Sequence, residues 1–331
     1  MAWNGTIDSR SELKTSMIFT PSSSSEGSYE VTTFTAPRKA VYRFELKGSG
    51  GTIGCSDATK SGALGSSIVA GGNGGSTVGY LLLERDQTVY IGAGGTCSAA
   101  FVSKTTGSKL SAISASNLYF VAGGGGGAGR AYDDANFAKF AYSGGVGGGT
   151  TGAAGQSSAG TGGLGRDYYG GGGGTQYGGG QPVSVPDCEN GKAGSYGTGG
   201  AGVYATAEHK NIYAWSGRGG DGYYGGASGH AIASHEDATG YTHSYGFGGG
   251  GGSGYVYDSK LTINEGTARQ ETFTSTTSQD GGSSSNSSGS VKVTYWAQVE
   301  LPVVFNNVKL IQLFFNDIEI KSLYFNDEQL F

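Results

Sequence analysis

The chain has 331 residues, of which 67 are glycine and only 5 are proline, a ratio that excludes collagen, which needs glycine at every third position and abundant proline. Its 21 tyrosines, 14 phenylalanines and 3 tryptophans bury area on folding, which argues against a flexible linker. A net charge of −5, with charged residues at 14%, gives no electrostatic drive toward nucleic acid or anionic lipid.

The first predicted piece is an attachment arm at residues 1–26, which ends in a proline and serine run of loop composition. From residue 27 onward, apolar residues alternate with polar ones and predict β-strands bounded by glycine or polar turns. No amphipathic helix pattern interrupts them. The predicted strands fall within 29–37, 40–48, 76–84, 87–91 and 118–122.

The strand expected to close this β-sandwich lies far along the chain, at 290–296, in the sequence SVKVTYW. Between it and the strand at 118–122 lies a glycine-rich tract, 123–252. The tract is therefore predicted to be one long insertion between two strands, within a domain that spans 27–298.

Five glycine runs punctuate this tract, at 123–127, 147–149, 170–174, 178–180 and 248–252. A glycine run has no side chains to bury, so it becomes ordered only through close approach of backbones. Left-handed extended helices with three residues per turn allow that approach and exchange N–H to C=O hydrogen bonds with their neighbours. We therefore expect a polyglycine II helix bundle inside an all-β protein with essentially no α-helix.

The C-terminal piece, 299–331, contains a ten-residue repeat marked by FNN at 305–307 and FND at 315–317 and 325–327. Asn-Asn and Asn-Asp between β-prone runs are hairpin turn signals. We predict a β-meander of hairpins. Because so small a unit cannot bury its apolar residues alone, we expect it to mediate assembly into an oligomer, with Phe305, Phe315 and Phe325 at the contacts.

Four motifs together resemble the glycine-rich domain family known from the ectodomains of anaplastic lymphoma kinase and leukocyte tyrosine kinase, which many microbial and phage proteins share. They are FTAP (34–37), AVYRFELKG (40–48), GGNGGSTVGY (71–80) and YFVAGGGGG (119–127). The resemblance covers roughly 27–298. It implies a sandwich similar to tumour necrosis factor, or jelly-roll-like, with polyglycine helices inserted between its strands. The sequence has no kinase segment, which makes receptor signalling implausible.

The architecture also resembles the polyglycine-helix adhesins at the tail-fibre tips of phages, and the FND repeat resembles C-terminal hairpin repeats of phage tail proteins. These resemblances imply a virion protein that is assembled in the host cytoplasm and acts outside the cell. Its expected partners are other phage tail or virion proteins and a bacterial surface protein or glycan. A homo-oligomer, with a trimer favoured, is the expected state.

Residues that carry chemistry form no persuasive catalytic or metal pattern, so we expect neither an enzyme nor a cofactor. The histidines lack HxH or HExxH spacing, the GxGxxG match lacks a strand and helix around it, and no GxSxG motif accompanies the triad residue types. Adjacent carboxylates point apart in an extended chain, which argues against a depolymerase. These residues are the histidines His209, His230, His235 and His243 near Glu208, the glycines Gly217, Gly219 and Gly222, Ser234, and the pairs Asp133 with Asp134 and Glu236 with Asp237.

Two further features limit the interpretation. Cys55, Cys97 and Cys188 are widely spaced and contain no CxxC pair, so the sequence predicts neither a zinc ribbon nor a disulfide framework. The sequence gives no signal-peptide pattern and no apolar run of about 18 residues, so membrane insertion is not expected.

Aromatic residues between the glycine runs are the predicted receptor contacts. Tyrosine among serine, glycine and asparagine is the composition of antibody binding loops, where rigid amphipathic rings give contact area at low entropic cost. The alternative is that these rings cap and seal the glycine bundle. The candidates are Tyr168, Tyr169, Tyr177, Tyr196, Tyr213, Trp215, Tyr223, Tyr224, Tyr241 and Tyr245, with Phe247 beside them.

Two functional hypotheses remain open at this point. In the first, the chain is a phage tail-fibre or tail-tip adhesin that displays aromatic loops to a bacterial receptor. In the second, it is a purely architectural virion component, such as a spacer, a collar or a capsid decoration. A bacterial surface adhesin is a further alternative.

Overall fold

The structure is a computed structural model. The residues that it describes are 16–59, 61–133, 139–157, 169–186, 188–207, 211–233, 243–264, 270–279, 281–298, 303–305, 308–310, 314–315, 318–319, 324–325 and 328–329.

Two five-stranded sheets pack face to face and form the predicted β-sandwich, in an all-β protein. The only helical elements among the described residues are two single 3₁₀ turns, Leu110–Ala112 and Ala115–Asn117. In spatial order, the first sheet contains β1 (Ser16–Phe19), β20 (Ser290–Gln298), β3 (Ala40–Lys47), β6 (Ser76–Leu83) and β19 (Thr276–Ser278), and the second contains β16 (Tyr255–Val256), β9 (Leu118–Ala122), β8 (Ala100–Ser103), β7 (Thr88–Gly94) and β2 (Tyr29–Thr35).

Alternation along the strands places the core between the two sheets. In β3, Tyr42, Phe44 and Leu46 point to one face and are almost fully buried. They pack against Ile91 and Phe120 from the second sheet. Each fully buried large apolar side chain contributes about 1.5–3 kcal/mol relative to an exposed one, so this layer holds the sandwich together.

The predicted closing strand is confirmed, because β20 pairs antiparallel with β3 and places Val291 opposite Leu46. Two boundaries differ from the prediction. Part of the predicted arm, 1–26, belongs to the sandwich, because β1 pairs with β20. The chain also rejoins the sandwich at β16 and β19, before β20. The strand β8 escaped prediction because all four of its residues are buried, so it shows no apolar–polar alternation.

Backbone hydrogen bonds with a period of three confirm the polyglycine II arrangement. In the segment 123–129, successive N–H groups bind three different neighbouring segments in turn, and the cycle then repeats. None of the glycines in this segment has a positive φ. The bonds run from Gly124 and Gly127 to the carbonyls of Asp221 and Arg218, from Gly125 and Ala128 to Ser49 and Thr52, and from Gly126 and Gly129 to Gly145 and Tyr142.

The bundle is larger than the predicted tract. Gly51 donates to Gly72, and Gly72 donates to Gly126, so segments before residue 123 belong to it. Gly50 donates to Ser287, which adds a segment from beyond residue 252. These short segments were missed because each has only a few glycines and lies between strands.

A second group of strands lies at the end of the bundle away from the sandwich, and we call it the distal cap. Four bundle segments, 48–53, 70–75, 123–129 and 247–254, each join a sandwich strand directly to a cap strand. At 3.1 Å per residue, the seven residues of 123–129 span about 20 Å. The cap sheets contain β12 (Tyr204–Ala207), β13 (Ile212–Trp215), β10 (Arg130–Asp133), β4 (Gly54–Cys55) and β5 (Ile68–Val69), and then β11 (Lys139–Ala141), β15 (Ser244–Gly246) and β14 (Ala231–Ala233).

The remaining strands form two-stranded ladders. The C-terminal repeat gives three hairpins, as predicted. Among the described residues, each of these strands pairs only within its own hairpin. The ladders are β17 (Lys260–Asn264) with β18 (Gln270–Thr274), β21 (Val303–Phe305) with β22 (Val308–Leu310), β23 (Phe314–Phe315) with β24 (Ile318–Glu319), and β25 (Tyr324–Phe325) with β26 (Glu328–Gln329).

Phe305, Phe315 and Phe325 each end the first strand of a hairpin.

Within the described part of the chain, no helix has the length and apolar character needed to cross a lipid bilayer.

Candidate recognition face on the distal cap

Strand alternation divides the β12, β13 and β10 sheet into two different faces. Ala205, Ala214 and Ala131 point to one side and are buried. Their small side chains allow β14 to pack closely on that side. The other side carries large aromatic residues and an arginine, because directly paired residues of neighbouring strands share a face. These residues are Arg130, Tyr132, Tyr204, Tyr213 and Trp215, which we call the aromatic face.

The four rings of the aromatic face are in mutual contact. Tyr213 is central, with ring centroids 5.7 Å from Tyr132, 6.2 Å from Tyr204 and 6.2 Å from Trp215. Tyr204 and Trp215 are 5.3 Å apart and tilted by 36°. Offset and tilted contacts of this kind fix ring positions before any ligand arrives. The aromatic face is therefore preorganised.

Exposure differs across the face. Tyr204 is 44% exposed on the outermost strand of its sheet, whereas Tyr213 is only 6% exposed beneath its neighbours. Trp215 and Tyr132 are half-buried. Tyr204 therefore offers the largest accessible ring surface, and Tyr213 acts as its support.

A cavity of about 270 Å³ lies beside this face, where the cap meets the bundle. Tyr204 and Trp215 line it from the cap, and Arg218 lines it from the bundle. Arg130 and the exposed Glu26 add charged groups. The guanidinium of Arg130 donates a 2.8 Å hydrogen bond to the carbonyl of Gly62, which holds the arginine in place.

A buried ionic cluster lies under the cavity. Arg218 forms a salt bridge with Asp221, whose side chain is 3% exposed. Asp221 also accepts hydrogen bonds from the backbone N–H of Gly199 and from the phenol of Tyr29. Burial, and then the charge of Asp221, raise the pKa of Tyr29 well above its usual value, so this phenol stays protonated and donates.

The predicted receptor residues lie at two opposite ends of the bundle. Tyr213, Trp215, Tyr245 and Tyr169 lie at the distal end, and Trp215 contributes to the aromatic face. Tyr177, Tyr196, Tyr223 and Tyr224 lie at the sandwich end. Tyr168 and Tyr241 lie outside the described residues. The eight described residues of this set therefore do not form one contact surface.

Tyr196, Tyr223 and Tyr224 fit the alternative that rings seal the bundle. Tyr223 stacks on Tyr255 of the sandwich with ring centroids 4.2 Å apart. Tyr196 packs edge-on against Tyr223 and donates a 2.7 Å hydrogen bond to the carbonyl of Ile113. Burial raises the pKa of Tyr196 to about 12. These rings join the bundle to the second sheet.

Tyr245, Phe247 and Tyr213 are buried and expose little or no ring surface to a receptor. Tyr245 is 1% exposed and stacks between Phe140 and Phe247, with centroids 5.1 Å and 6.2 Å away. Phe247 is itself fully buried. Tyr213 is covered by the other rings of the aromatic face. All three residues stabilise the cap from within.

Tyr177 and Tyr169 are the exposed members of the predicted set that lie outside the aromatic face. Tyr177 is 94% exposed in a tight turn, in which Thr175 Oγ1 accepts hydrogen bonds from the N–H groups of Tyr177 and Gly178. Tyr169 is 37% exposed. Its carbonyl oxygen lies 2.5 Å from Nδ1 of buried His230.

Sequence reasoning missed Tyr132 and Tyr204, although a signal was present. The strand sequences RAYD, YATA and IYAW alternate alanine with larger residues, which is the pattern of a sheet packed tightly on one side.

The fold does not bring the other candidate catalytic or metal-binding residues together in a described site. The second ring nitrogen of His230, Nε2, lies 2.5 Å from the carbonyl of Val183, so both nitrogens face backbone oxygens. His209, His235, Glu208, Ser234, Asp134, Glu236 and Asp237 lie outside the described residues. Among the residues with described positions, no group of three His, Cys, Asp or Glu side chains could hold a metal ion.

No protein-family model matches the chain, and no curated protein matches it.

Proposed function

We propose that the chain is a recognition protein of a phage virion, a tail-fibre or tail-tip adhesin, and that the distal cap contacts a bacterial surface protein or glycan. The observation that carries this proposal is the aromatic face on a cap held about 20 Å from the sandwich by the bundle. Preorganised tyrosine and tryptophan rings give contact area without a large loss of side-chain entropy, which suits a binding surface.

The bundle supports this role because it is a stiff connection. Its backbone N–H groups bind carbonyls of neighbouring segments in a repeating pattern, and its glycines leave no side chains to rearrange. A rigid support keeps the cap in one orientation relative to the sandwich. Binding at the cap then costs little ordering of the support.

The virion assignment rests on the resemblance to glycine-rich phage proteins and on the hairpin repeat. Three hairpins of short strands in one chain favour association with further copies, and we propose a trimer that docks to other tail proteins. Deletion of 299–331, followed by light scattering, tests this part. A return to monomers supports it, and an unchanged oligomer contradicts it.

Adsorption of the purified full chain to a panel of bacterial strains tests the recognition role. Tyr204→Ala and Tyr132→Ala are expected to reduce binding at least tenfold, while the matched control Tyr177→Ala, at the sandwich end, leaves it unchanged. No binding to any strain favours an architectural spacer instead. Equal loss in all three variants contradicts recognition by the cap.

A further inference from the structure

The cavity between the aromatic face and the bundle has the features of a small-ligand site. It has two aromatic wall residues, a buried salt bridge behind it and charged groups at its margin. Ligand sites in proteins combine apolar walls with a few placed polar groups in this way. Its lining comes from the cap, the bundle and the loop that holds Glu26, so it exists only in the folded chain.

We propose that this cavity binds a single neutral sugar ring, a hexose or an N-acetylhexosamine, of a surface glycan. The inference rests on the proposed recognition function and assigns a ligand class to its site. It does not involve catalysis.

The wall residues favour a sugar over a purely apolar ligand. Tyr204 and Trp215 both line the cavity and present ring surface against which the C–H groups of a pyranose pack. The remaining lining is largely polar, with the backbone of Gly202 and Gly217 and the hydroxyl residue Thr52. Hydroxyl groups of a sugar both donate and accept, which suits this mixture of partners.

The charges favour a neutral ligand over an anionic one. Arg218 is already paired with Asp221, whose carboxylate is buried. The other ionic residues of the lining are Arg130 and Glu26, which carry opposite charges. A phosphate or carboxylate in the cavity would meet the negative charge of Glu26, whereas sugar hydroxyls can donate to Glu26 and accept from Arg130.

The size favours one ring. Cavities for drug-sized ligands are roughly 300–1,000 Å³, and this cavity of about 270 Å³ lies just below that range. A longer oligosaccharide would place one sugar unit in the cavity and its other sugar units along the exposed ring of Tyr204. We expect dissociation constants on the order of 1 mM for single methyl glycosides, since few atoms make contact.

Saturation-transfer NMR on the full chain, with methyl glycosides of neutral hexoses and N-acetylhexosamines, tests the proposal. Signals are expected for at least one of these glycosides. Tyr204→Ala should weaken binding at least tenfold and Glu26→Gln several-fold. The control Tyr177→Ala should match the wild type. Circular dichroism checks that each variant is folded.

Three results would overturn the proposal. The first is no signal from any neutral glycoside, and the second is equal signals in the wild type and Tyr204→Ala. The third is tighter binding of methyl phosphate or methyl glucuronide in Glu26→Gln, with no binding of the neutral glycosides. These failures are distinct from failure of the recognition role. If the chain still adsorbs to cells and Tyr132→Ala reduces adsorption, recognition by the cap stands and only the sugar site falls.

Discussion

The phenol of Tyr29, on sandwich strand β2, donates a 2.9 Å hydrogen bond to Oδ2 of Asp221 in the glycine bundle. The same phenol oxygen accepts a 3.0 Å hydrogen bond from the backbone N–H of Ala99. Asp221 in turn pairs with Arg218, whose guanidinium also donates to the carbonyl of Cys97. One carboxylate therefore connects the sandwich, the bundle and the floor of the cavity.

Asp221→Asn should destabilise the protein by about 3 kcal/mol, because it leaves the charge of Arg218 buried without its partner. Chemical denaturation followed by circular dichroism measures the change. Asp86→Asn is the matched control, since the Asp86 side chain is 80% exposed and asparagine tolerates its positive φ. Equal stability of the two variants would contradict a structural role for the cluster.

Gly251→Ala should destabilise the protein by more than about 2 kcal/mol or prevent folding, since a methyl group there would overlap the backbone carbonyl of Val146. Gly178→Ala is the control, because a methyl group at Gly178 would meet no atom within 4 Å. It should change stability by less than about 0.5 kcal/mol. Thermal unfolding of both variants makes the comparison. Similar unfolding midpoints for the two variants would contradict the claim that close backbone contact in the bundle excludes a methyl group at Gly251.

Thiol labelling at pH 8 should modify one cysteine in the native protein and three in denaturant. Cys55 and Cys97 are fully buried and Cys188 is half-buried. Burial raises the pKa of Cys97 to about 12, so little thiolate forms at pH 8. Cys188→Ser should remove the native reaction. Rapid modification of a second native thiol would contradict the packing around Cys97.

Alkaline pH should destabilise the fold between about pH 9 and 12. Burial raises the pKa values of Cys97, Tyr42 and Tyr196 to about 12, above their values in the unfolded chain. Their stabilising effect is therefore complete below the unfolded pKa values and is lost as the pH rises toward 12. Thermal midpoints from pH 8 to 11 measure this loss. Cys97→Ala should flatten the profile, and an unchanged slope in that variant would argue against the assignment.

The sequence predicted the sandwich well and the bundle in outline. The apolar alternation of β3 and β20 locates the core. The glycine runs around Gly125 and Gly250 predict segments whose backbones approach closely, which is possible only because glycine has no Cβ atom. The neighbours of each run could not be predicted, because glycine runs have no side chains to distinguish one partner from another. Side chains beside the runs do connect particular segments: the hydroxyl of Ser49 donates to the carbonyl of Ser98, and the carboxylate of Asp221 accepts from the N–H of Gly199.

The candidate site was predicted only in part. Composition identified Trp215 and its supporting residue Tyr213, yet it could not separate rings that face solvent from rings that seal the bundle, such as Tyr223. That distinction depends on which end of the bundle each ring occupies, and the end depends on segment pairing. Strand alternation in β10 and β12 would have identified Tyr132 and Tyr204.

Hydrogen exchange of the full chain, measured by mass spectrometry with and without outer-surface extract from a strain that it adsorbs, tests the central claim most directly. Recognition by the distal cap predicts slower exchange in peptides covering 130–133 and 204–215, and unchanged exchange around 175–178 and 223–224. Protection confined to the sandwich end, or to the C-terminal hairpins, would contradict the account.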